Sequence, residues 1–453
     1  MPSPEPPTTR LTNLEHMFRS LRGRNYLLFF FGQGISNIGT WMQSMALGWL
    51  VYKLTNDPFM LGLVGFAGTI VSFLISPIAG VFTDRWNRHR ALVAMQALSL
   101  LQAGVLAALT LTGTIQVWHI LALAMFIGAV NGIDIPNRQS FVVQMVQRRE
   151  DLPNAIALNS FLFNGARLLG PPVAGYIVWA GNRATGGTGG AALNVHGEGL
   201  CFLANAVSYA AVIAALLAMK ITPRVNAPRK RVLHELREGL AYTVGFPPIR
   251  TLLLMLALLG LTAMPYATLL PVFARDILHG GPETQGQLLG AAGAGALVAA
   301  IFLASRRSVR GLGLLIGLAA ILLGAALVAF GLSNIPAVSM GILAVLGFGQ
   351  MTQMAGSNTM LQTIVDDDKR GRVMSFYTIA FMGTAPFGNL LAGWSAKHIG
   401  APHTVMIGGA ICAICGILFV RNLPNLRKHV RPIYVRMGII DEESPIPRDA
   451  VRE

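Results

Sequence analysis

Long apolar stretches broken by short polar segments recur along nearly the whole chain. They fall near residues 26–54, 59–82, 91–112, 117–146, 152–180 and 200–219, then near 249–277, 287–304, 311–332, 336–365, 372–397 and 405–420. A basic linker over 220–250 parts six from six. Periodicity alone does not separate helix from strand over such runs, but length does. A helix needs about 20 residues to cross a bilayer and satisfies its backbone groups within the segment. The pattern predicts an all-α membrane protein with twelve transmembrane helices in two six-helix bundles. The expected organisation is a tail (1–24), a first bundle (25–220), a linker (221–248), a second bundle (249–421) and a tail (422–453). Within the linker, HELREGLAY predicts a short amphipathic surface helix between 225 and 244. The Gly-rich stretch 181–199 carries no period and reads as a flexible loop. The tail after Asn422, with Pro432, Pro445 and Pro447, reads as mostly disordered.

Composition agrees and narrows the classes. Hydrophobic residues make up 53% of the 453 and charged residues 12%, about half the charge of a soluble domain. That excludes a water-soluble enzyme, a coiled coil and a disordered chain. The formal charge of +15 would suit nucleic acid if it formed one patch, but it is spread over alternate loops. Only Lys53, Arg183, Arg275 and Lys397 fall in loops on the opposite side. The positive-inside rule then puts both termini and the linker in the cytoplasm, with membrane lipids and not nucleic acid as the partner of the charge. Cys412 and Cys415 form a CxxC inside an apolar run, where small residues pack a membrane helix; no metal spacing or disulfide framework is present.

An internal repeat supports the six-plus-six division. Gly165, Gly170 and Gly175 recur as Gly383, Gly388 and Gly393, each 218 residues later, in the fifth and eleventh spans. Parallel six-helix repeats are one architecture of secondary transporters, with substrate bound near mid-membrane between the halves.

Between the second and third spans runs Gly80, Asp84, Arg85, Arg88 and Arg90. An acid at a helix end can accept from a neighbouring helix N-terminus, and the arginines can pair with acids or lipid phosphates. This order resembles the signature loop of the major facilitator superfamily, with Asn87 where the family usually has Gly. NGIDIPNRQSFVVQM (131–145), DLPNAIALNSFLFNGARLLGPPVAG (151–175) and RGRVMSFYTIAFMGTAPFG (370–388) resemble one bacterial branch of it, the multidrug, macrolide and siderophore exporters of transmembrane secretion effector type. The resemblance runs over roughly 24–422. It implies a conformational latch at Asp84, set against the eleventh span near Gly371, and an antiporter-type motif at Gly165, Gly170, Pro171 and Gly175.

An ionisable residue at a helix centre costs about 2.5–3.5 kcal/mol on insertion scales, so the few that occur are candidates. Asp134 and Arg138 lie four apart on the fourth span and Arg167 lies mid-depth on the fifth. They are the proton-coupling candidates, with a structural ion pair as the other reading and anion binding as a further possibility for the arginines. Gln33, Asn37 and Trp41 share one face of the first span; Tyr266, Gln350, Gln353, Tyr377 and Phe381 complete the candidate lining of a mostly apolar cavity. Such a lining suits hydrophobic or amphiphilic small molecules. The expected function is a monomeric secondary transporter exporting a drug-, macrolide- or siderophore-like molecule by alternating access, driven by a proton gradient without a bound cofactor. An importer, facilitator or lipid flippase of the same fold is the rival reading. No nucleophile, metal or nucleotide motif marks an enzyme.

Overall fold

The computed structural model describes residues 19–440, except 84–86, 147, 186–193, 220–241, 307 and 367–368. The linker helix expected between 225 and 244 therefore lies almost wholly outside the described residues, as do Asp84 and Arg85. The described residues fold as helices, with no strand among them. The first half comprises α1 (Arg24–Thr55), α2 (Pro58–Thr83), α3 (Arg88–Leu111), α4 (Val117–Met145), α5 (Leu152–Ala184) and α6 (His196–Leu217). The second comprises α7 (Pro247–Thr262), α8 (Tyr266–Val272), α9 (Pro282–Ser305), α10 (Leu312–Leu332), α11 (Pro336–Ile364), α12 (Arg370–Met382), α13 (Ala385–Ile399) and α14 (Ala401–Arg436). Nine of these stretches are long and apolar enough to cross a membrane by length and composition alone. The others are the long α1 and α5 and the two shorter helices α12 and α13.

Two expected spans are broken. The stretch 249–277 divides into α7, a turn at 263–265, α8 and a π-helical turn (Phe273–Ile277). The stretch 372–397 divides at Gly383 and Thr384. Pro265 and Pro386 have no N–H to continue the ladder, which is why each helix restarts there. The two breaks pack on each other: a Cβ at Gly260 would lie 2.3 Å from Thr384 Oγ1, and one at Gly388 would meet the Gly260 carbonyl at 2.7 Å.

Other ends also move. Helix α14 runs through Pro424 and Pro432 to Arg436 instead of stopping near 420. Leu423, Leu426 and Val430 form a buried stripe along it, and that packing outweighs the prolines. Helix α6 begins at His196 and α5 reaches Ala184, so only the middle of the Gly-rich stretch lies outside the described residues. Its ends are bonded: Asn182 accepts from the Gly197 N–H at 2.9 Å and donates to Glu198 at 3.0 Å.

Polar and close backbone contacts both hold the halves inside. In the first, Gln43 donates to Gln102 at 3.0 Å and accepts from Asn205 at 2.8 Å, joining α1, α3 and α6 through buried amides. In the second, small residues let backbones touch, as where Gly295 and Gly347 bring α9 against α11. Outward-facing side chains such as Phe31, Leu74, Val298, Ile301 and Leu418 stay exposed, as a lipid-facing surface requires. The halves meet along two seams, α5 with α9 and α2 with α13.

Candidate functional site

Arg167 lies near the midpoint of the 33-residue α5. It donates from Nη2 to Gln350 Oε1 at 3.0 Å on α11, and its guanidinium sits 5.8 Å from the Trp41 ring on α1. The Tyr266 phenol, buried at the first residue of α8, lies within range of its charge. The Nε2 of Gln350 points in turn at the Met264 sulfur in the break of the seventh span. Four of the sequence-predicted residues thus converge at mid-membrane, two from each half. No carboxylate lies within salt-bridge range of Arg167 among the described residues. A charge-assisted hydrogen bond and an aromatic face together offset about 2–5 kcal/mol, comparable with the cost of inserting the cation, but they do not neutralise it.

The remaining lining candidates are near but not joined to this cluster. Gln33 donates to Asn37 at 3.0 Å within α1. Gln353 is buried and donates to Ser357 of its own helix, at 3.4 Å. Tyr377 stacks on Phe381 with centroids 6.5 Å apart, and its hydroxyl donates to the Met354 carbonyl at 3.4 Å.

Asp134 and Arg138 do pair, at 2.8 Å, and Asp134 also accepts from Gln96 of α3 at 3.1 Å. Asp134 is 3% exposed. Both carboxylate oxygens are engaged inside the first half, away from Arg167, so the candidate acid and candidate arginine of the sequence reading belong to different places. Beside this pair, Asn137 donates to the Arg88 carbonyl at 3.0 Å, and Arg88 reaches the Ser140 carbonyl at 3.4 Å. Asn87 explains its departure from glycine: its side chain caps α3, accepting from the N–H groups of His89 at 3.1 Å and Arg90 at 3.2 Å. Gly80 lies in the last turns of α2.

The repeated glycines show the pseudo-symmetry as contacts. A Cβ at Gly170 would strike Trp41 and the Ile38 carbonyl of α1, and one at Gly388 would strike α7. A Cβ at Gly175 would strike Pro282 and Glu283 of α9, and one at Gly393 would strike Gly62 and Pro58 of α2. The first and seventh spans correspond in the repeat, as do the eighth and second. Gly165 departs: a Cβ there would meet nothing within 4 Å. Pro171, buried beside Gly170, presents its carbonyl to Gly286 of α9.

The sequence reading missed a second set of residues, at the end of the bundle opposite the arginine-rich loops. The Tyr52 hydroxyl donates to Asp276, and Arg275 lies 5.7 Å from the Tyr52 ring. Lys397 pairs with Asp57 at 2.7 Å. Both links join one half to the other. Within the first half, Lys53 pairs with fully buried Glu198 at 2.8 Å. A cavity of about 400 Å³ opens here, lined by Trp49, Tyr52, Lys53, Trp179 and Arg275 among others. Lys53 and Lys397, two of the four basic residues on this side, each pair with an acid distant in sequence, which spacing along the chain does not reveal. Burial pushes the Asp57 carboxyl up, but the hydrogen bonds from Lys397 and the Phe59 N–H, with the Lys397 charge, outweigh it and hold it below its ordinary 3.8.

Two helical halves related by a repeat, meeting over a charged mid-membrane cluster, define a membrane transporter of the major facilitator type and not an enzyme. The family model described as transmembrane secretion effector matches residues 17–432, and the chain belongs to that family. Among similar proteins, the staphyloferrin A transporter of Staphylococcus aureus is 26% identical over 88% of this chain and 97% of its own length. Macrolide efflux protein A of Streptococcus pyogenes is 22% identical over 88% and 95%. The multidrug efflux pump Tap of Mycobacterium tuberculosis is 26% identical over 91% and 96%. Among solved structures, a bacterial homologue of the human lysosomal transporter Spinster superposes with a TM-score of 0.70 at 13% identity, covering 91% of this chain and 98% of that one. A D-xylose–proton symporter gives 0.67 at 13% identity over 87% and 96%; these two likenesses speak for the fold alone.

Proposed function

We propose that the protein exports a hydrophobic or amphiphilic small molecule from the bacterial cytoplasm by alternating access, coupled to proton entry. The observation that carries this reading is the distribution of contacts between the halves. The named cross-half contacts run from the Arg167–Gln350 bond at mid-membrane to Tyr52–Asp276 and Asp57–Lys397 at the far end. Apolar and aromatic surface on the other side of Arg167, Ile156 and Phe163 on the same face of α5, is exposed. With both termini in the cytoplasm, as the Lys and Arg distribution supports, this is a state closed to the outside and open inward. Efflux by the similar macrolide and multidrug proteins favours export over import. The chain works as a monomer in the cytoplasmic membrane, its unit of transport being the two halves of one chain.

Asp134 is the proposed proton site. It is a buried acid whose pairing with Arg138 ties its charge to helix packing, so a proton there changes how α3 and α4 hold together. Asp84 is the proposed latch of the signature loop. The test is transport in proteoliposomes, with and without an imposed proton gradient, using a macrolide and a cationic dye. Gradient-dependent accumulation that Asp134→Asn abolishes while downhill exchange persists supports the reading. Unchanged gradient-driven transport by well-folded Asp134→Asn protein overturns the coupling role, and uptake favoured over export overturns the direction.

A further inference from the structure

We infer that the substrate carries an anionic group, a carboxylate or its equivalent, which docks on Arg167 while an aromatic or apolar body lies against the adjoining rings. This rests on the proposed transport function and names the chemical class of its cargo. Arg167 is the charged side chain that the described contacts place directly between the halves at mid-membrane, and its partners are all neutral: Gln350, Trp41 and Tyr266. A guanidinium carries five donors in a rigid fork. The Gln350 oxygen takes one, which leaves donor capacity for a two-oxygen ligand. The side chain is half-buried, not sealed.

Its surroundings fit the rest of such a molecule. Trp41 faces the guanidinium, and Phe163, 52% exposed, meets Trp41 edge-on with centroids 5.8 Å apart. Phe163 lies one turn before Arg167 on the same face of α5. An aromatic carboxylate could place its ring there and its oxygens on the fork. The same site disfavours a cation, because a second positive charge would meet Arg167 with no acid among the described residues to offset it. The other buried carboxylates, Asp134 and Glu198, are already paired with Arg138 and Lys53 within the first half. The arrangement also assigns the ligand a mechanical effect. An anion that draws the Arg167 guanidinium toward itself also strains its bond to Gln350, the side-chain bond between α5 and α11 among the described residues.

The experiment uses the full chain in zwitterionic nanodiscs and three probes that share one ring system: 1-pyrenebutyrate, 1-pyrenebutanol and 4-(1-pyrenyl)butyl-trimethylammonium. Energy transfer from tryptophan to pyrene reports binding, with empty discs subtracted and Trp41→Phe as the control for place. The expected result is that pyrenebutyrate binds at least about ten-fold more tightly than the ammonium, the size of one charge-assisted pair. Arg167→Gln should abolish that preference and Arg167→Lys should keep part of it, with melting temperatures recorded for each. Binding of none of the probes, a cation bound as tightly as the anion by wild type, or a preference that survives in folded Arg167→Gln each overturns the inference. A protein that exports a cationic dye in proteoliposomes yet shows no anion preference overturns the cargo class and leaves export standing. One that shows the preference but exports neither pyrenebutyrate nor the dye does the reverse.

Discussion

At the level of single residues, burial and charge sort the chain's polar groups into those that hold the fold and those left for function. Glu198 belongs to the first kind. It is fully buried, and Lys53 and Asn182 are its partners. Removing one member of a buried pair strands the other, at about 3–5 kcal/mol. We therefore expect Lys53→Met to lower the melting temperature sharply in detergent, and Lys53→Met combined with Glu198→Gln to recover most of the loss. A double variant no better than the single one would show that the pair is not the unit that matters. Asn87 gives a smaller test on the same scale. Asn87→Ala should destabilise by about 1 kcal/mol and Asn87→Gly by only a few tenths, read from thermal unfolding. That order would place the cap, and not the backbone freedom that glycine gives the related loops, as what this chain uses at the start of α3.

At the level of elements, the all-helical class and the order of the long helices were legible from apolar run length, because a bilayer imposes one length and one backbone solution. The breaks in the seventh and eleventh spans were not, although Pro265 and Pro386 marked them. A proline inside an apolar run is as often absorbed as not, and Pro424 and Pro432 of α14 are absorbed. What decides is whether a neighbour fills the gap, and Gly260, Thr384 and Gly388 do so for each other. The candidate site was legible by residue type but not by partnership. Arg167, Trp41, Tyr266 and Gln350 were all picked out, yet the sequence grouped Arg167 with Asp134 because both are rare intramembrane charges. Only the packing shows that α4 turns Asp134 toward Gln96. The seam glycines carry a prediction of their own. At Gly175 even a methyl group meets backbone of α9, at 2.6 Å from the Pro282 carbonyl, whereas Gly165 has open space. Gly175→Ala should disturb closure of the α5–α9 seam and reduce transport. Gly165→Ala should be tolerated and gain up to about 1 kcal/mol of helix stability. Proteoliposome transport alongside melting curves distinguishes them, and equal effects at the two positions would refute the seam assignment.

At the level of the whole molecule, the closed end is held by a few cross-half links, and their strengths bear on how the protein switches. The Asp57–Lys397 pair is at the surface, with the lysine side chain half exposed, so it contributes at most about 1 kcal/mol. Tyr52–Asp276 is likewise a single bond between halves. A transporter must visit both states, and links of this size bias the equilibrium without locking it. Removing one should shift the open population by no more than about five-fold. The pH dependence follows from the lowered Asp57 carboxyl. A group whose pKa is depressed in the closed state stabilises that state above its ordinary value, and the contribution is lost only as pH falls through the lowered one. Its ordinary value is 3.8 and burial does not raise it above that, so Asp57 stays charged over the whole range in which a cell maintains a proton gradient. The expectation is that this latch is not the proton switch. Spin labels at Thr114→Cys and Asn334→Cys, one in each half at this end, placed in a chain without Cys201, Cys412 and Cys415, would report opening. Between about pH 5.5 and 7.5 any pH-dependent change in their separation should persist in Asp57→Asn, while the mean population shifts toward open at every pH. Added salt should produce the same shift in the wild type and little in the variant, because screening acts on the pair that the variant lacks. A pH profile flattened by Asp57→Asn would move the proton switch to the outer end and away from Asp134.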